Sequence, residues 1–188
     1  MLQSNSRSLK KVRELLRLYQ GGAVFTAFDT ETTGLNASSD RLLEIGAVKF
    51  NKDGVMGIFN QLINPCRFIP AVVTQVNNIT MEMVRNCPTE DQVLPSFIDF
   101  ISDTILLAHN ANFDLKFVNT ALSRCGYQPM QNMTEDTVHL SKAAFPELPY
   151  HKLQFLAQQF RINPGNAHRA QDDARVCMEV FFRCLQQV

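Results

Sequence analysis

Apolar positions along the chain alternate between a spacing near 3.6 and a spacing near 2, and the changes mark the elements. Leu9, Val12, Leu16 and Tyr19 share one stripe of a helix expected over residues 7–19, which Gly21-Gly22 stops. Ala23 to Asp29 is a short apolar run ending in polar residues, the pattern of a buried strand. Leu42 to Phe50 and Val55 to Ile63 flank Asn51-Lys52-Asp53-Gly54, a hairpin signal, so three strands open the core. Residues 65–88, broken by Pro65, Pro70 and Pro88, read as irregular with short helical turns. Thr89-Glu90-Asp91-Gln92 is a capping box for a helix reaching about Ile101, which Pro95 is expected to bend. A buried strand over Thr104 to Ala108 and a helix from about Asn112 to Cys125 follow. An extended piece near 134–137 then leads to helices around 138–144, 151–160 and 170–186. Strands first, then alternation, then helices is the order of an α/β layered domain. Gly21-Gly22 divides an appended N-terminal helix (1–22) from a single domain (23–188).

Composition narrows this picture. With 188 residues, 45% of them hydrophobic and 19% charged, the chain suits one well-buried domain and excludes a disordered one. No stretch approaches the roughly 18 apolar residues of a membrane span, and the first twenty lack a secretory signal, so the expected location is cytoplasmic. Five scattered cysteines without a Cys-x-x-Cys pair read as reduced, mostly buried thiols. The 18 basic and 18 acidic side chains balance, which argues against a nonspecific grip on long duplex DNA. The balance is uneven along the chain. Arg7, Lys10, Lys11, Arg13 and Arg17 against Glu14 leave the first 22 residues with a surplus of +4, and the remainder is acidic.

Three segments concentrate polar chemistry. In Phe28-Asp29-Thr30-Glu31-Thr32-Thr33-Gly34, strand geometry sends Asp29 and Glu31 to the same face. Two carboxylates that close repel unless a cation lies between them, and a hard divalent ion prefers such oxygen donors. An acidic turn hinged at Gly34 is the other reading. In His109-Asn110-Ala111-Asn112-Phe113-Asp114, just past an apolar strand, Asp114 falls in the first turn of a helix, where the macrodipole favours any acid. In His168-Arg169-Ala170-Gln171-Asp172-Asp173, Asp173 again enters a first helical turn with His168 in the loop before it. An imidazole beside a metal-bound acid is what activating a water requires; a surface histidine before an acidic turn is the alternative.

Taken together and in this order, the three segments resemble the exonuclease motifs of the DnaQ-like, or DEDD, superfamily. The family includes the exonuclease subunits and domains of bacterial DNA polymerase III. The resemblance runs from about Val24 to Val188, and the spacing from His168 to Asp173 is that of the histidine-bearing subclass. It implies a ribonuclease H-like fold and a magnesium-dependent 3′–5′ exonuclease. Two Mg²⁺ ions, with Mn²⁺ as a substitute, would sit on Asp29, Glu31, Asp114 and Asp173, with His168 as general base. It further implies that Thr32, Leu35, His109, Asn110 and Phe113 line the terminal nucleotide. Asp172 is the neighbour that the spacing does not select, and Asp136 and Thr137 resemble an acidic strand end with a structural role.

The expected substrate is a nucleic-acid 3′ end, DNA ahead of RNA. An RNA-trimming enzyme of the same superfamily and a silent nucleic-acid-binding module are the alternatives, the last disfavoured because all four acids are present. The chain ends at Val188, directly after the last expected helix, which weighs against attachment to a polymerase through a C-terminal extension. The N-terminal helix is left with packing on the domain as its expected role, with contact to the substrate strand, a polymerase contact or self-association as the alternatives.

Overall fold

The computed structural model describes residues 2–188, with side chains from Leu9 onward; Arg7 lies outside the described side chains. Helix α1 (Leu2–Gln20) turns at Gly21 and Gly22 into strand β1 (Phe25–Thr32). The hairpin β2 (Leu42–Asn51) and β3 (Gly54–Leu62) follows, its turn at the expected Asn51-Lys52-Asp53-Gly54. Two short helices, α2 (Ala71–Asn77) and α3 (Met81–Val84), occupy the proline-broken region. Helix α4 (Glu90–Ile101) begins with the Thr89–Gln92 capping box and runs on through Pro95. Then come β4 (Ile105–Ala108), α5 (Ala111–Arg124), β5 (Thr134–Asp136), α6 (Thr137–Ala144), α7 (Leu153–Gln159) and α8 (Ala170–Leu185).

The five strands form one mixed sheet in the order β3-β2-β1-β4-β5. β1 pairs antiparallel with β2, placing Asp29 opposite Gly46 and Glu31 opposite Glu44, and parallel with β4. Alternation along the strands divides the core. Phe25, Ala27, Val48, Phe50 and Leu107 face α1, α6, α7 and α8, where Val12, Leu15, Leu140, Leu156 and Phe181 meet them. Phe28, Ala47, Leu106 and Ala108 face α4 and α5. Among the described residues, burial of thirty large aliphatic, methionine and phenylalanine side chains, each contributing about 1.5–3 kcal/mol, is the main drive to this arrangement.

Helix α1 belongs to the first of these cores. Val12 and Leu15 are fully buried, Tyr19 packs on Phe25, Phe181 and Phe182, and Lys11 pairs with Glu135 of β5 at 2.7 Å. The cysteines are all free, but fewer are buried than expected. Cys177 and Cys184 lie in the core, whereas Cys66 is exposed and Cys87 and Cys125 are half-buried, because the latter three sit on loops and a helix end. No helix among the described residues is long and apolar enough to cross a membrane.

Candidate active site

The C-terminal ends of the parallel strands β1 and β4 point to the N-termini of α5 and α8, and the candidate residues gather there. Asp29 and Glu31 leave β1 on the face that carries α8. Asp114 arrives from the first turn of α5 and is buried. Its Oδ1 accepts the Thr30 backbone N–H at 2.9 Å and the Thr30 hydroxyl at 2.7 Å. Asp173, in the first turn of α8, accepts Gln154 Nε2 at 2.8 Å and the His168 backbone N–H at 3.1 Å. Glu31, His168 and Asp173 offer ligand atoms within 4.8 Å of one another. Among the described residues no group donates a hydrogen bond to the Asp29 carboxylate, although Asp29 feels the charges of Asp114, Asp173, Glu31 and Glu44.

Electrostatics tie these acids together. Burial, then the neighbouring carboxylates, holds Asp29 well above the usual carboxylate range. Burial likewise lifts Glu31 to about 8, against the opposing hydrogen bond from Asn77. Asp114 rises to about 7 through burial, despite its two bonds from Thr30, and Asp173 is raised for the same reason. The Arg169 guanidinium, which feels the Glu31 charge, is committed to Glu44 in a two-pronged ion pair at 2.8 and 3.0 Å. Four acids brought together in a largely buried cluster are costly to ionise, and an all-oxygen donor set is what a hard divalent ion binds. The residues present therefore fit such an ion.

Beside the acids lies a cleft of about 570 Å³ whose walls include Thr32, Leu35, Phe113, Val72, Val76 and Asn77. Leu35 stands 87% exposed at its rim. The loop that carries it folds over Gly34, where a Cβ would lie 2.4 Å from the Asp40 carboxylate. Thr32 is buried and donates to the Gly34 carbonyl at 2.6 Å, while Phe113 packs against Phe117. Thr32, Leu35 and Phe113 thus come together, and two other expected pocket residues do not join them. Both ring nitrogens of His109 are taken, Nε2 donating to the His151 carbonyl and Nδ1 accepting from the Thr137 hydroxyl, each at 2.8 Å. Burial pushes that imidazole down in pKa. Asn110 is exposed and left-handed at the start of α5 (φ 69°), and its backbone N–H is held by Asp136.

Several contributors escaped the sequence pattern. Thr30 lies between the two strand acids, and only the fold shows that it holds Asp114. Asn77 and Gln154 sit in elements with no acidic motif. Glu44 is the one acid of β2, set between the apolar Leu43 and Ile45. Asp172 does stand apart from the acids, accepting from Asn166 and pairing with Arg175, and Asp136 caps α6.

A model of the family described as Exonuclease matches residues 26–181. The chain is 50% identical over 159 residues to the DNA polymerase III subunit epsilon of Treponema pallidum (strain Nichols), covering 84% of this chain and 74% of that protein. It is 35% identical over 164 residues to the DNA polymerase III PolC-type of Caldanaerobacter subterraneus, of whose length it spans only 12%. Among solved structures, Escherichia coli exonuclease I in complex with a dA16 oligonucleotide superposes with a TM-score of 0.75 at 21% identity, over 84% of this chain and 39% of that one. Exonuclease X in complex with 5′ overhanging duplex DNA superposes with a TM-score of 0.67 at 24% identity, over 86% and 90%. At those identities the two structures bear on the fold alone, a five-stranded mixed sheet between helices. By sequence and by fold the chain belongs to the exonuclease family, as a DnaQ-like 3′–5′ exonuclease.

Proposed function

We propose that the chain removes nucleotides one at a time from the 3′ end of DNA, single-stranded or mismatched, in a Mg²⁺-dependent hydrolysis with His168 as general base. The observation that carries this reading is the meeting of Glu31, His168 and Asp173 within 4.8 Å beside an apolar cleft. Asp29, Glu31, Asp114 and Asp173 would hold two divalent ions, for which Mn²⁺ substitutes. When bound, such ions lower the pKa of water and neutralise charge on the phosphate. His168 takes the proton of the water that attacks phosphorus. Its ring is exposed, while its backbone, left-handed at φ 62°, is tied to Asp173. A bond forms from the water oxygen to phosphorus, the bond to the 3′ oxygen breaks, and a nucleoside 5′-monophosphate departs. Leu35, Thr32 and Phe113 take the terminal base and sugar. Val72 and Val76 of α2 widen that apolar wall, whereas His109 is withdrawn from it by its two hydrogen bonds.

DNA as substrate rests on the relatives, which are DNA polymerase III proteins by name. A cytoplasmic location and an association with a polymerase belong to the same proposal. Digestion of 3′-labelled and 5′-labelled single-stranded DNA, single-stranded RNA and a 3′-mismatched duplex, with Mg²⁺, Mn²⁺ or chelator, tests it. Mononucleotides from the 3′ end of DNA are expected, with activity lost in chelator and reduced by several powers of ten in Asp29→Ala. Undiminished cutting by Asp29→Ala or in excess chelator overturns the metal reading, and faster digestion of RNA overturns the choice of substrate.

A further inference from the structure

The Glu44–Arg169 pair lies directly behind the site. Glu44 is fully buried on β2, cross-strand from Glu31. Its Oε1 accepts Arg169 Nη2 at 2.8 Å, and its Oε2 accepts Arg169 Nε at 3.0 Å and the Ala170 backbone N–H at 3.1 Å. Ala170 opens α8, and the cap residue before it, Arg169, supplies no side-chain cap of its own. A strand carboxylate 126 positions away thus performs the capping. Two residues along, on the same face of β2, a Cβ on Gly46 would lie 2.2 Å from the Ala170 and Gln171 backbone. Charge at position 44 and empty space at position 46 therefore seat the first turn of α8 against the sheet. Asp173 sits in that turn, and His168, in the loop just before it, is tied to Asp173 through its backbone N–H.

The same carboxylate also holds a cation back. The Arg169 guanidinium feels the Glu31 charge as well as that of Glu44. Released from Glu44, it is a protein cation free to pair with Glu31. We infer that Glu44 is a positioning residue with two tasks: it seats His168 and Asp173 through the first turn of α8, and it sequesters Arg169 so that the acids stay open to divalent cations. This rests on the proposed metal-dependent reading and adds to it a residue that touches neither substrate nor ion.

Mn²⁺ binding by electron paramagnetic resonance, with no substrate present, gives a readout apart from turnover. In Glu44→Gln the affinity for Mn²⁺ is expected to fall roughly 10–100-fold, the range for residues that orient metal ligands. Turnover should fall with it while KM for DNA stays within about twofold. The double variant E44Q/R169Q, which removes the released cation, should bind Mn²⁺ better than E44Q alone, and a merely structural role for Glu44 gives no such recovery. Wild-type affinity in E44Q, or a double variant no better than E44Q, overturns the inference. A melting curve identifies any loss of fold. If E44Q does not fold, Arg169→Lys, which keeps the charge and gives up the fork, replaces it: weakened Mn²⁺ binding supports the inference and wild-type binding overturns it. Failure of the wild-type chain to bind Mn²⁺ or to need it would sink the metal reading itself. A metal-dependent wild type with an indifferent E44Q sinks only the role of Glu44.

Discussion

At the scale of single residues, spacing showed why the acids and His168 could serve a metal, and the resemblance of the three segments taken together selected them; the fold brings Glu31, His168 and Asp173 to one place. Asp29 and Glu31 share a strand face by period, and Asp114 and Asp173 fall in first helical turns by position. What spacing could not show was which polar groups are already engaged. His109 has the right neighbours in sequence to line a substrate pocket, yet Thr137 and His151 saturate its ring, and those partners lie 28 and 42 positions away. His168 differs in being exposed, with its imidazole free to turn toward an incoming water. His168→Ala should therefore lower kcat by roughly 10²–10⁴-fold, the span for a lost general base, with little change in melting temperature. A steady-state assay on single-stranded DNA reads this, and wild-type kcat in the variant removes His168 from its proposed role.

At the scale of elements, the strands and long helices followed from periodicity because each buries one face, and burial is what periodicity reports. The short helices α2 and α3 were legible only as short helical turns of unmarked position, since seven and four residues give too few turns to show a stripe. Their contribution was correspondingly hidden: α2 brings Val72, Val76 and Asn77 to the cleft. The docking of α8 on β2 is the other element-level feature that pattern cannot supply, because it depends on an absent side chain. Adding even one methyl at Gly46 drives Cβ into the α8 backbone, which cannot swing aside as a side chain can. Gly46→Ala is expected to destabilise the fold by about 1–3 kcal/mol and to depress exonuclease activity more than that loss explains, because His168 and Asp173 shift with the helix. Urea unfolding and single-turnover hydrolysis measure the two effects, and an unchanged denaturation midpoint contradicts the tight seating.

At the scale of the whole molecule, the acidic cluster links stability to pH and cations. Glu31 and Asp114 stay protonated in the folded chain up to about 8 and 7, far above where they ionise in the unfolded chain. The folded state therefore binds more protons than the unfolded state across that window, and its stability drops as pH rises through it. In chelator, the melting temperature should decline between pH 5.5 and 8, and Mg²⁺ should raise it more at pH 8 than at pH 6. Scanning fluorimetry at several pH values with and without Mg²⁺ checks this; a melting temperature that climbs with pH in chelator contradicts it.

The order in which the site's parts occur along the chain has a consequence for synthesis. Asp29 and Glu31 leave the ribosome early and Asp114 midway, but His168 and Asp173 come with α8 and the loop before it, after every strand of the sheet. Until α8 settles on β2, the proposed base and fourth acid are missing from the cluster. On that reading, a nascent or partly folded chain cannot degrade the nucleic acid around it, so translation itself acts as the safety catch.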